Sequence, residues 1–249
     1  MTKTSDPTVK RNVQQFDADV SETGSYSYTA DRLSSQLANA RISEAIADIY
    51  PFEGKRVLDV GCGDGAYTVE FAELGVTRIL GVDPAEVAID AATARAQRLG
   101  VGDKVQFLAG NVYDLGDFLA SDEFDIVVLR GVLHHLPDPA RAVTSLEAFD
   151  GAVLILEPNG LNPVLKVLEK VSRYHIEHEE RSFTPGTLRG WCTSAGYRIE
   201  TCKVINLVPF FCPDWMARAL RVVEPLVERI PAVRAISCGQ TILLAKRGT

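Results

Sequence analysis

A chain of 249 residues, 46% hydrophobic and 24% charged, is long enough to close one sizeable α/β core. Its formal net charge of −7 disfavours non-specific binding to nucleic acid or to anionic membranes, which needs a positive surface; a local basic patch stays open. The opening residues Met1 to Gln15 are polar, no apolar run approaches a membrane span, and the five cysteines form no CxxC pair. The expectation is a cytoplasmic protein with reduced thiols, no transmembrane segment, no nucleic-acid partner, and a monomeric or homodimeric state.

In chain order, a polar arm (Met1 to about Gly24) precedes a helical pattern from about Asp31 to Ile49 that carries Leu33, Leu37, Ile42, Ile46 and Ile49 near one face, and Pro51 ends it. An alternation follows: strand Arg56–Val60, helix Ala66–Leu74, strand Arg78–Asp83, helix Glu86–Leu99, strand Val105–Ala109, strand Phe124–Arg130, helix Pro139–Phe149, strand Ala152–Glu157. Short continuous apolar strands between helices imply a parallel sheet covered on both faces. Beyond it, Asn162–Arg173 and Pro185–Ala195 read as helices and Tyr197–Ile205 and Thr241–Lys246 as late strands, an antiparallel addition at the sheet edge. Trp215–Arg229 reads as an amphipathic helix that Pro225 should kink or interrupt, with Arg218, Arg221, Glu224, Glu228 and Arg229 on its solvated face. The expected layout is a single domain over 1–249: an N-terminal arm and helical lid (1–50), a cofactor-binding core (51–158) and a substrate-side C-terminal part (159–249).

In an open α/β sheet, ligands bind beyond the carboxyl ends of the strands. After the first strand comes Leu58-Asp59-Val60-Gly61-Cys62-Gly63-Asp64-Gly65-Ala66, a turn whose glycines let the backbone approach a ligand, followed by a helix start whose free amides suit an anion. Asp83 ends the second strand, where a carboxylate accepts from ribose hydroxyls. Read generously, Gly61, Gly63 and Ala66 also match a dinucleotide fingerprint, which makes an NAD(P)-dependent oxidoreductase the rival reading. Asp59 and Asp64 argue against it. A pyrophosphate about 4–5 Å from either would cost on the order of 3–4 kcal/mol at an effective dielectric of 20, whereas a sulfonium and an ammonium are attracted. No GK[ST] follows the glycines, so a P-loop is excluded.

These residues resemble motif I of the class I S-adenosylmethionine (SAM)-dependent methyltransferases. The resemblance extends over about Phe52 to Pro158 through Gly81-Val82-Asp83-Pro84, Gly110-Asn111-Val112, Phe124 to Arg130 and Leu133-His134-His135-Leu136, and less specifically to Ala195-Gly196-Tyr197. It implies a Rossmann-like, mostly parallel sheet of seven strands in the order 3-2-1-4-5-7-6, with helices on both faces. It implies SAM as cofactor and S-adenosylhomocysteine as product. Asp59, Gly61, Cys62 and Gly63 would surround the methionine portion, Asp83 would bind the ribose and Pro84 would pack on the adenine. Asn111, where many relatives carry aspartate, would meet the adenine amino group, with the Val112 amide nearby. The Arg130 carbonyl would accept from the SAM ammonium.

In-line methyl transfer needs the nucleophile held opposite the leaving sulfur, and a hydroxyl nucleophile gains from a base. His134 and His135 follow the fourth strand, so either could serve as base or substrate partner; the plainer account makes them scaffold, which suits His135 better. The expected reaction is methylation of an O, N or C atom of a small-molecule metabolite, O-methylation preferred. A catalytically silent SAM-binding partner protein is the alternative of another class. Tyr26 and Tyr28 could lid the cofactor or merely pack the arm, and His175, His178 and Glu179 could touch substrate. No ligand spacing there fixes a metal geometry, so no metal is expected. Val208 to Trp215 is unusually apolar and could line a pocket, form a dimer seam, touch a membrane surface, or be ordinary core.

Overall fold

Seven apolar runs pair into one sheet in the order β3-β2-β1-β4-β5-β7-β6. The computed structural model describes residues 32–121, 124–172 and 181–248. The strands are β1 (Arg56–Val60), β2 (Arg78–Asp83), β3 (Val105–Ala109), β4 (Ile126–Arg130), β5 (Ala152–Pro158), β6 (Tyr197–Ile205) and β7 (Gln240–Arg247). β1 to β5 pair in parallel, while β7 lies antiparallel to both β5 and β6. The central strands are buried on successive residues and apolar but for Arg56, Asp59, Arg130 and Glu157, because helices cover both sheet faces, so alternation is absent where burial is two-sided. Switching order between β1 and β4 opens the crevice at the carboxyl end of the sheet.

The helices are α1 (Leu33–Ile49), α2 (Glu86–Arg98), α3 (Gly116–Ser121), α4 (Pro139–Thr144), α5 (Pro163–Val171), α6 (Pro185–Ser194), α7 (Asp214–Arg229) and α8 (Pro231–Ser237). Ile42, Ala45 and Ile46 of α1 pack with Val57, Val128 and Leu154 on one sheet face. On the other face Val127, Val153 and Leu243 pack with Leu146, Leu188 and Cys192. Prolines start four of these helices, where the missing N–H costs no hydrogen bond.

Several expectations need correction. Ala66–Leu74 is not an α-helix; a 3₁₀ segment runs over Thr68–Leu74 and Gly75 closes it at φ +76°. The Pro139–Phe149 helix stops at Thr144 and continues as turns. Pro225 does not interrupt α7, because it is exposed and solvent can serve the carbonyl it leaves unbonded. The largest difference is the orientation of α7. Glu224 is buried, and Arg221 and Glu228 are half-buried, turned inward toward α1. Arg221 binds Glu44 at 2.8 Å and Arg41 binds Glu228 at 2.6 Å. Only Arg218 and Arg229 of the expected solvated face are exposed. The charges turn in because the backbone N–H groups of Leu207 and Asn206 need acceptors, which Glu224 (2.7 Å) and Glu228 (2.9 Å) supply.

Candidate functional site

The turn after β1 is held open by left-handed backbone: Gly61 at φ +73° and Gly63 at φ +53°. At Gly61 a side chain is excluded twice, since a Cβ there would lie 2.5 Å from a Val132 methyl. The Gly61 N–H donates to the Val82 carbonyl at 2.7 Å, which ties the turn to the end of β2. There the Asp83 carboxylate accepts from the Gly63 N–H and from the Ala85 N–H, both at 2.9 Å. The residue expected to bind ribose thus also shapes the glycine turn. Pro84 beside it is exposed, and the Cys62 thiol is pushed up by burial among the acids Asp83 and Asp59.

The two turn acids have different roles. Asp59 is buried and accepts a hydrogen bond from the Thr68 hydroxyl at 2.6 Å. Burial lifts its carboxyl to about 6, tempered by that bond and by Arg130. Asp64, expected to face the ligand, does not. Its carboxylate is buried against Arg95 of α2 at 2.8 Å and caps the Ala66 N–H at 3.1 Å. The repulsion argument against a pyrophosphate therefore rests on Asp59 alone. The anion seat expected at the following helix start is also missing, since that amide is already capped and no α-helix forms.

A positive group stands nearby instead. The Arg130 side chain, at the end of β4, lies over the Tyr67 ring at 3.6 Å to the centroid. It also reaches Ser43 of α1 at 3.4 Å and Glu70 at 3.5 Å. Arg130 Nη2 and Tyr67 Oη are both buried and have no hydrogen-bond partner among the described residues. Two buried orphan donors side by side call for an acceptor. Burial depresses the Arg130 pKa and raises that of Tyr67 to about 12. Sequence reasoning assigned only the Arg130 carbonyl; its side chain and Tyr67 were missed. The one available signal was an arginine ending an otherwise apolar strand.

Asn111 follows β3, and its side-chain oxygen accepts from the Tyr113 N–H at 3.0 Å, which fixes the turn; Val112 is buried. Amide oxygens carry a second lone pair, so this bond leaves capacity for another donor.

Beyond β4, His134 is buried and its Nδ1 lies 2.7 Å from Glu157 Oε2. Glu157, fully buried at the end of β5, also accepts from the N–H groups of Val132 (2.9 Å), Leu133 (2.7 Å) and His134 (3.3 Å). Those donors compensate a carboxylate that would otherwise be prohibitive to bury. Its acceptor character places hydrogen on His134 Nδ1 and leaves Nε2 as the basic atom. The His135 ring packs against that of His134, with centroids 3.9 Å apart and planes tilted by 44°. Glu157 was the other functional residue that sequence reasoning missed, though an acid ending the apolar run Ala152–Leu156 was visible. Tyr26, Tyr28, His175, His178 and Glu179 lie outside the described residues.

The parts fit SAM: an acid at the end of β2 for ribose, a buried anion near a sulfonium, and orphan donors for a carboxylate. A methyltransferase-domain family model matches residues 51–197, more than half of the chain. A ubiquinone biosynthesis O-methyltransferase of Actinobacillus pleuropneumoniae serotype 7 is 28% identical over 179 residues, covering 66% of this chain and 74% of that one. The magnesium protoporphyrin IX methyltransferase of Synechocystis PCC 6803 with bound S-adenosylhomocysteine is 18% identical, with TM-score 0.64 over 98% of this chain and 100% of that one. The geranyl diphosphate C-methyltransferase of Streptomyces coelicolor A3(2) is 16% identical, with TM-score 0.67 over 98% and 100%. The last two likenesses concern the fold. The family match removes the oxidoreductase reading: the chain belongs to the methyltransferase-domain family and is a SAM-dependent methyltransferase.

Proposed function

We propose that this enzyme methylates a hydroxyl oxygen of a small-molecule metabolite, with His134 as general base. The carrying observation is the buried His134–Glu157 contact at 2.7 Å, which fixes the imidazole tautomer beside the strand end where the acceptor must lie. The name of the relatives, O-methyltransferases, supports an oxygen acceptor. A catalytically silent SAM-binding partner needs Glu157 only as an acceptor for the Val132 and Leu133 N–H groups; the added contact to His134 Nδ1 favours the catalytic reading.

When bound, SAM supplies an electrophilic methyl on a sulfonium. Asp83 receives the ribose hydroxyls, Pro84 and Val112 border the adenine, and Asn111 meets its amino group. Asp59 balances the positive charge through the floor of the glycine turn formed by Gly61, Cys62 and Gly63. The Arg130 carbonyl receives the ammonium, while its guanidinium and the Tyr67 hydroxyl donate to the carboxylate. His134 Nε2 would take the substrate hydroxyl proton; the methyl supplied to that oxygen would leave the sulfur, with S-adenosylhomocysteine as product. Glu157 stabilises the resulting imidazolium, and His135 packs the ring in place. Residues 1–50 serve as arm and lid, 51–158 as cofactor core and 159–249 as substrate side.

The test is incubation with isotopically methyl-labelled SAM and a panel of hydroxylated, amino and carbon-acid metabolites. Label in an ether, with turnover lost in His134→Ala while SAM affinity persists, supports the proposal. Label on nitrogen or carbon, or full turnover in that variant, overturns it.

A further inference from the structure

Three helices present an apolar surface to solvent. On α7, Val222 is 80% exposed, Trp215 72% and Leu226 62%, and Ile230 extends the row at its end. At 100° per residue these fall on one stripe opposite Ala217 and Glu224, the residues of α7 that are buried. Val233 and Ile236 of α8 and Val164, Val167, Leu168 and Val171 of α5 are exposed as well. α5 adjoins α8 because Asn162, its N-cap, donates to the Ser237 carbonyl at 3.2 Å and the Cys238 carbonyl at 3.3 Å. Single exposed apolar residues are ordinary; a continuous stripe of this kind is not.

The inverted seating of α7 is what exposes it. Ion pairs to α1 and acceptors for the Asn206 and Leu207 N–H groups fix the polar face inward, so the outward face is fixed too. The acids Glu224 and Glu228 are drawn away from the surface. Among the described residues of α5, α7 and α8, the exposed charges are Lys170, Arg218, Arg229 and Asp214, three of them basic, on a chain whose net charge is −7. Arg218 and Arg229 lie within about 40° of Val222 on the helical wheel, at the edge of the apolar stripe.

We propose that the α5–α7–α8 face docks on an anionic lipid bilayer surface, with Trp215, Val222, Leu226 and Ile230 entering the headgroup–acyl boundary and Arg218 and Arg229 meeting lipid phosphates. An apolar stripe rimmed by cations on an acidic protein suits negative lipid. A second copy fits less well, since two-fold packing of this face would oppose its own arginines. None of the described helices is long and apolar enough to cross a membrane, so the association is peripheral. α5 leaves the carboxyl end of β5, the edge where ligands bind, so docking sets the site's mouth beside the lipid.

The experiment is flotation of the full chain with vesicles of phosphatidylglycerol and phosphatidylcholine against vesicles of phosphatidylcholine alone, read also by Trp215 emission. Wild type floats with the anionic vesicles, its emission shifts to the blue, and added salt weakens the binding. Val222→Glu with Leu226→Glu lowers vesicle affinity by about tenfold or more, and Arg218→Glu with Arg229→Glu abolishes the preference for anionic lipid. All four positions are exposed, and unchanged melting temperatures confirm folding. Wild type that stays with the soluble fraction overturns the proposal, as does equal binding to both vesicle types. So does a dimer, seen by light scattering, that Val222→Glu with Leu226→Glu splits without any vesicle binding.

Discussion

The Arg130 guanidinium lies over the Tyr67 ring, 3.6 Å from its centroid, and each residue leaves one buried donor, Nη2 and Oη, without a partner among the described residues. Strand β4 supplies the cation and the turn after Gly65 supplies the ring, so the pair exists only when the sheet and the glycine turn are both formed.

That pairing predicts selectivity for a carboxylate. Wild type should bind S-adenosylhomocysteine about 10- to 100-fold more tightly than the analogue lacking only the carboxylate, the span expected of a charge-assisted hydrogen bond. Arg130→Met should bring the ratio toward one, and Tyr67→Phe should reduce it in part. Calorimetric titration of both ligands checks this; an undiminished ratio in Arg130→Met removes the assignment.

Asp83→Ala should weaken SAM binding by about 10- to 100-fold, because it removes the ribose acceptor and frees the Gly63 and Ala85 N–H groups that shape the turn. Asp83→Asn, which keeps one acceptor oxygen, should lose less. Equal affinity in wild type and both variants would place the ribose elsewhere.

Asp59 predicts opposite effects on stability and binding. Burial pushes its carboxyl up to about 6 in the folded protein, above the ordinary carboxylate value of 3.8. Protonation therefore favours the folded state: that contribution is complete below about pH 3.8 and is lost as the pH rises through 6. Asp59→Asn should raise the melting temperature at pH 7 to 8 by relieving a cost of up to about 3 kcal/mol, and the gain should fade on acidification. Binding of the positively charged cofactor should tighten as the pH of the wild type rises through 6, and that step should vanish in the variant. Melting curves and titrations across pH 5 to 8 decide both.

For the Glu157–His134 pair, His134→Ala should lower turnover on the order of 100-fold or more with SAM affinity retained, the range of a lost general base. Glu157→Ala should in addition destabilise the fold by about 1–3 kcal/mol, since it strands the buried Val132 and Leu133 N–H groups. Glu157→Gln should keep much of the stability and lower turnover in part, since the amide still accepts from the backbone but no longer offsets charge on His134. Steady-state kinetics beside denaturant unfolding separates the two effects.

Much of the sheet was legible because both-sided burial writes itself as continuous apolar runs, and β1, β4 and β5 show that pattern in Val57-Leu58, Val127–Leu129 and Ala152–Leu156, whereas β3 at the sheet edge alternates. The glycine turn and Asp83 were legible for a local reason, since positive φ and strand-end acids are set by neighbouring residues. Asp64 misled because its partner, Arg95, stands on another helix, and α7 misled because amphipathicity names two faces without saying which one turns inward.

The sequence by itself determined the alternation of strands and helices and the cofactor turn, because these rest on short-range backbone demands and on residue types; the strand order and the reaction class came with the family resemblance that those residues carry. Only the tertiary structure decided which acid stays near the cofactor, which side chain serves as its counter-charge, how Glu157 fixes His134, and which face of α7 meets solvent. Each of those depends on a hydrogen bond or ion pair between segments distant in the chain, and such partners are brought together by packing alone.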